Sequence, residues 1–250
     1  MGHNHDRQHA PQGTFTTRFR QHTVIRSIFQ SGRGPMTQRE PIFASYGDLT
    51  TFPRMAVGVM GSAGGDILEH SRTVLRRLGE EIARRGYVLV TGACPGLPHE
   101  AALGAKSRGG MVIGISPALN LREHVTDYNS PSRGYDIIVY TGSGLMGREI
   151  ENIRTCDVVV FAGGRSGTLG EFAIAYDESK VIGVLSGTGG IADHIETIVG
   201  MVNKKTGAVI FRDPDPAALM DQLEGAYRTN VLPAYLRALE GRDPDGRVEA

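Results

Sequence analysis

Four short apolar runs in this chain each lead into a glycine-rich loop, and a segment of helical period follows each loop. Met55 to Met60 (MAVGVM) leads into GSAGGD, and Tyr87 to Val90 into TGACPGLPHEA. Ile137 to Tyr140 leads into TGSGLMGRE, and Val158 to Phe161 into AGGRSGTLGE. A strand that alternates with helices of ten or more residues builds βαβ units, and these require a parallel sheet. The runs are continuously apolar rather than alternating, as expected of strands covered by helices on both faces. Met111 to Ile115, Val181 to Leu185 and Val209 to Phe211 complete the set. The pattern predicts an α/β fold: an open, doubly wound, Rossmann-like parallel sheet of about seven strands.

The helical segments run from Ile67 to Arg85, Pro98 to Arg108, Leu145 to Arg154, Thr168 to Ser179, Ile191 to Asn203, Pro216 to Tyr227 and Pro233 to Leu239. In the first, Ile67, Val74, Leu75, Leu78 and Ile82 recur near a 3.6-residue period. Residues 117–135 read as irregular. Residues 1–54 differ from the rest. They carry seven arginines against Asp6, Glu40 and Asp48, with no sustained apolar period. They read as a flexible or loosely docked extension before a single domain over residues 55–250.

Composition excludes several functions. Lys+Arg and Asp+Glu both total 27, and a chain of zero formal charge is a poor general nucleic-acid binder. No apolar run approaches the roughly 18 residues of a membrane span, and the N-terminus has no signal-peptide core. The expected setting is the cytoplasm. Cys94 and Cys156 make neither a disulfide framework nor a zinc spacing. Neither His70 nor His99 belongs to an H-x-x-x-H or H-x-E pair, so no metal and no cofactor is expected.

Of the 34 glycines, 24 fall between residues 55 and 190, concentrated in the loops after strands. In an open α/β sheet these loops lie at the carboxyl ends of the strands, where ligands bind. Glycine lets backbone N–H groups approach an anion, and the following helix adds its positive end. Four such loops point to a phosphorylated ligand. Gly58, Gly61 and Gly64 are spaced G-x-x-G-x-x-G, not the dinucleotide G-x-G-x-x-G, and no P-loop signature occurs. A nicotinamide oxidoreductase and a P-loop NTPase are both disfavoured.

Within the loops, Gly164, Gly167 and Thr168 are candidates to anchor phosphate, with Arg165 and Ser166 beside them. Ser62, Gly92 and Gly96 are candidates to line the other side of the cleft. Thr168 and Glu171 have the three-residue spacing of a helix capping box, a purely structural role. The functional alternative turns Glu171 toward a sugar. Arg148 opens a helix whose positive end it opposes, an unfavourable placement that hints at a task such as holding phosphate or carboxylate. The bland alternative is a surface arginine paired with Glu149 or Glu151. Cys94 reads as a small loop residue.

These loops together resemble the LOG ("Lonely Guy") family, part of the SLOG superfamily of lysine-decarboxylase-like Rossmann proteins. GGRSGTLGE (Gly163 to Glu171) is similar to the family's P-G-G-x-G-T-x-x-E signature. LVTGACPGLPHEAALGAKSRGGMVIGISP (Leu89 to Pro117) resembles its G-G-x-x-G-L-M and G-G-x-V-I-G-x-x-P segments. LMGRE places Arg148 at the family's arginine. The resemblance implies a phosphoribohydrolase that cuts the N-glycosidic bond of an AMP-like nucleoside 5′-monophosphate. Arg148 and Glu171 would then be catalytic, and the enzyme a homo-oligomer, a dimer or larger. The chain departs from the signature at Gly163 (proline), Arg165 (glycine), Glu149 (lysine) and Pro98 (methionine). Glycine at the first position is similar to molybdenum-cofactor carrier-like branches, so a non-catalytic carrier or sensor is the alternative. R-S-G-T-L is also similar to the DNA-processing protein A family. A pyridoxal-phosphate decarboxylase is excluded, because Lys106, Lys180, Lys204 and Lys205 are the only lysines and none lies in a carboxyl-end loop.

Overall fold

The computed structural model describes residues 53–240, so the basic segment up to residue 52 lies outside the described residues. Seven strands form one sheet: β1 (Ala56–Gly61), β2 (Val88–Thr91), β3 (Met111–Ser116), β4 (Ile137–Tyr140), β5 (Val158–Ala162), β6 (Val181–Leu185) and β7 (Val209–Asp213). Every pairing is parallel, and the order is β4-β3-β2-β1-β5-β6-β7. The winding reverses between β1 and β5. That reversal opens a crevice at their carboxyl ends, the place where open α/β sheets bind ligands.

The helices are α1 (Glu69–Arg84), α2 (Leu97–Ser107), α3 (Leu121–Thr126), α4 (Gly144–Thr155), α5 (Ser166–Asp177), α6 (Ile195–Val202), α7 (Pro216–Ala226) and α8 (Leu232–Leu239). On one sheet face Phe161 meets Phe172 of α5 edge-on, with ring centroids 5.7 Å apart, and Ile153 of α4 and Ile195 of α6 join the same core. Leu75, Leu78 and Ile82 of α1 are fully buried, as their helical period predicts. Helices α1 and α2 touch backbone to backbone. A Cβ on Gly79 would stand 1.9 Å from the Ala101 carbonyl oxygen, and one on Gly104 would stand 2.1 Å from that of Arg76.

Four expectations are corrected. The segment 117–135 is not wholly irregular. Asn120 accepts the Glu123 N–H and Glu123 accepts the Leu119 N–H, which starts the short helix α3. The capping box at Thr168 and Glu171 does not form, because α5 starts two residues earlier and its N-cap is Arg165, with no side-chain cap bond. The helix expected from Ile191 begins as a 3₁₀ turn, Gly190–His194, and becomes α-helical only at Ile195. Finally, helices do not cover both faces of β4. It is an edge strand, and Ile137 and Val139 are exposed.

Candidate functional site

A cavity of about 600 Å³ opens at the carboxyl ends of the strands, next to the crevice between β1 and β5. That volume suits a small organic ligand. Its walls come from the loop after β1 (Ser62, Ala63), the loop after β2 (Gly92, Cys94), the first turn of α5 (Ser166, Gly167, Thr168) and Arg165 before it. The glycine loops therefore converge as the sequence predicts.

At the base of the cavity Arg148 and Glu171 form an ion pair, Nη1 to Oε1 at 3.4 Å, with each side chain only 9% exposed. This excludes the surface-arginine reading. Arg148 sits in the second turn of α4 and points inward between strands and helix. Asn152, one turn further along α4, donates from Nδ2 to the same Glu171 Oε1 at 3.4 Å. Burial pushes the Glu171 carboxyl up from its ordinary 4.5 to about 7; Arg148 pulls it back only in part, and the neighbouring charge of Glu149 adds to the rise. The 3.4 Å separation exceeds that of a strong charge-assisted bond, which accounts for the incomplete compensation. Arg148 Nε and Asn152 Oδ1 are buried with no protein partner among the described residues. The base of the cavity thus holds a carboxylate poised to change charge near neutrality, beside polar atoms whose bonding is unfinished.

The anion end is built differently from the expectation. Gly164 was read as a phosphate anchor, but its N–H is already donated to Ser62 Oγ at 2.6 Å. The Gly163 N–H goes to Thr188 Oγ1, and the carbonyls of both glycines accept the N–H groups of Ala192 and Ile191. The turn is clamped by protein on every side, and Gly164 does not line the cavity. Gly96 does not line it either. It brings α2 against the first loop, where Leu97 N–H bonds the Ser62 carbonyl at 2.8 Å. The backbone donors left at this end are the N–H groups of Ser166, Gly167 and Thr168, residues that line the cavity. These open α5, where no intrahelical acceptor reaches them. Arg165, exposed and unpaired among the described residues, lines the cavity beside them. Ser62 accepts one N–H and still has its own proton to donate.

Cys94 lines the cavity, but burial pushes its thiol up to about 11, so it is a neutral wall residue rather than a nucleophile. His99 packs beside Tyr135 at 5.9 Å, away from the cavity. Among the described residues no lysine lines the cavity. Among the described residues, no group of three or more His, Cys, Asp and Glu side chains could hold a metal, and no helix is long and apolar enough to cross a membrane. Sequence reasoning missed Asn152, whose only signal is its i+4 spacing from Arg148 on one helix face. It also missed Tyr128 and Ser130, which reach the cavity from the segment read as irregular.

The topology defines a Rossmann-like protein with a cavity beside its switch point, the fold that the SLOG resemblance implies. The chain belongs to the SLOG cluster4 family, whose profile matches residues 54–220. An uncharacterized protein from Archaeoglobus fulgidus is 34% identical over 131 residues, covering 52% of this chain and 80% of that one. The molybdenum cofactor binding protein from Rippkaea orientalis is 29% identical with a TM-score of 0.58, covering 71% of this chain and 99% of that one. The molybdenum cofactor carrier protein of Chlamydomonas reinhardtii is 30% identical with a TM-score of 0.55, covering 69% and 99%.

Proposed function

We propose that this protein binds a phosphorylated nucleotide-type ligand in the switch-point cavity and hydrolyses its N-glycosidic bond. The observation that carries this reading is the buried Arg148–Glu171 pair at the base of a cavity whose wall is the N-terminal turn of α5. The 5′-phosphate would lie against the N–H groups of Ser166, Gly167 and Thr168 and the guanidinium of Arg165, where the helix dipole favours an anion. The sugar would then reach inward toward Glu171.

In the reaction the bond from ribose C1′ to the base nitrogen breaks, and its electron pair leaves with the base. The Glu171 carboxylate stabilises the oxocarbenium-like sugar and accepts a proton from the water whose oxygen bonds to C1′. The departing base takes up a proton, and free base and ribose 5-phosphate are released. Arg148 orients the sugar and holds Glu171 in place. A soluble, cytoplasmic homo-oligomer accompanies this reading, which light scattering of the purified chain would test.

The test is incubation with a panel of nucleoside 5′-monophosphates, AMP included, with detection of free base and ribose 5-phosphate. Both products should form with the wild type, and Glu171→Gln should abolish them while leaving nucleotide binding measurable. Base release by Glu171→Gln at the wild-type rate would overturn the mechanism. A second reading, a non-catalytic carrier, is favoured by the similarity to molybdenum cofactor proteins over 99% of their length. Tight ligand binding with no base released over hours would decide for the carrier.

A further inference from the structure

Glu149 faces the same cavity from α4, one residue beyond Arg148. Its carboxylate has no hydrogen-bond or ion-pair partner among the described residues. It is nonetheless closely seated. Its Oε1 lies 3.3 Å from where a Cβ on Gly167 would stand, and its Oε2 lies 2.9 Å from the equivalent point on Gly170. The two glycines leave a notch in α5 that the carboxylate fills, and a side chain at 170 would close it. Burial raises the carboxyl's pKa, so this group has lost water without gaining a protein donor. The nearest cation, Arg148, is engaged with Glu171, and Arg165 lies over the loop after β1, 3.4 Å from the Cβ position of Gly65.

The cavity is therefore bipolar. One part offers N–H donors and a guanidinium to an anion. Another offers a half-desolvated acceptor that a donor-bearing ligand would satisfy in place of water. Leaving such a carboxylate unpaired under a bound ligand is costly. An adenine ring presents ring-nitrogen acceptors and a single amino group. A 2-amino-4-oxopyrimidine ring, as in guanine or a pterin, presents a ring N–H and an amino N–H side by side. These match the two oxygens of one carboxylate in a bidentate pair.

Building on the reading of this cavity as the ligand site, we infer that Glu149 selects a ligand carrying a 2-amino-4-oxopyrimidine edge, a guanine nucleotide or a phosphorylated pterin, over an adenine nucleotide. The carboxylate accepts the ring N–H on one oxygen and the amino N–H on the other, while the phosphate lies at α5 and Arg165. Inosine 5′-monophosphate keeps the ring N–H and lacks the amino group, so it isolates half of the contact.

The experiment is equilibrium dialysis of the full chain carrying Glu171→Gln, so that no ligand is turned over. The ligands are GMP, IMP, AMP and 6-hydroxymethylpterin phosphate. GMP or the pterin phosphate should bind about 10-fold tighter than IMP and about 100-fold tighter than AMP, as for a site built to pair specific donors. The tighter of the two names the source of the edge. Adding Glu149→Gln should bring the ligands to within about threefold of one another, by weakening GMP and pterin-phosphate binding while AMP binds no more weakly than before. Should that variant fail to fold, Gly170→Ala crowds the carboxylate out of its notch and should erode the preference in the same direction. AMP binding as tightly as both GMP and the pterin phosphate, or a preference that survives Glu149→Gln, overturns the inference while leaving the ligand site intact. Binding of no ligand in the panel overturns the ligand-site reading itself.

Discussion

The guanidinium of Arg148 occupies the space that a side chain on Gly92 would need. A Cβ at Gly92 would stand 2.0 Å from Arg148 Nη1 and 2.8 Å from Cζ. The glycine after β2 is thus part of how the Arg148–Glu171 pair is held, although it carries no functional group. Its backbone does not need a positive φ, so alanine adds crowding without conformational strain. Gly92→Ala should push Arg148 away from Glu171 and lower kcat/KM for base release on the order of 100-fold, the usual cost of an ångström-scale misplacement. The fold should persist, because Arg148 is a long side chain that can give way. A kinetic comparison with circular dichroism as control checks this; wild-type kcat/KM in Gly92→Ala would refute it.

Glu171 makes stability depend on pH in a predictable direction. Its folded carboxyl titrates near 7, above the ordinary 4.5. Below about pH 4.5 both folded and unfolded states hold the proton, and nothing is lost. Between these values the unfolded chain gives up its proton first, so stability falls as pH rises. Above about pH 7 the full cost, about 3 kcal/mol, is present. Glu171→Gln removes this titration. Urea unfolding at pH 4 and pH 8 should show the variant gaining on the wild type by a few kcal/mol between the two. A difference that stays constant with pH would mean that Glu171 is not desolvated in this way.

The same titration sets the rate profile. If the carboxylate form stabilises the sugar cation, base release should rise with pH and reach half its plateau near pH 7. Arg148 is the charge that holds the Glu171 pKa down. Arg148→Met should therefore shift the acidic limb to higher pH as well as lower the plateau. Loss of rate with an unmoved limb would assign Arg148 to substrate contact alone.

How legible the site was depends on the distance over which each interaction acts. The strand-loop-helix alternation is local, and it yields the seven strands and the convergence of the glycine loops. Glu171 and Arg148 were identified by motif, but their ion pair joins two helices across 23 residues and no local pattern encodes it. The engagement of Gly164 is hidden from the sequence for the same reason. Its partners Ser62 and Ile191 come from the loops after β1 and β6, and only the assembled sheet reveals that the N–H and carbonyl are already taken. The Thr168–Glu171 spacing suited a cap, yet the helix starts at Ser166 and turns Glu171 into the cavity wall. The side-chain caps are instead Asp215 before α7 and the less conspicuous Asn120, in the segment with no clear period.

That clamp at Gly164 makes a final prediction about stability. Gly164 has φ +99°, and a Cβ there would stand 2.4 Å from the Cβ of Thr168. Alanine would meet both backbone strain and a collision inside the first turn of α5, each worth about 1–3 kcal/mol. Gly86, after α1, is the natural control. Its φ is +75°, and nothing lies within 4 Å of a Cβ built on it. Gly86→Ala should cost about 1 kcal/mol through strain alone. Gly164→Ala should cost about 3–5 kcal/mol and also weaken phosphate-ligand binding, because displacing Thr168 moves the N–H groups that open α5. Urea unfolding of both variants separates the two contributions. Equal losses would show that strain dominates and that the Gly164–Thr168 contact relaxes without cost.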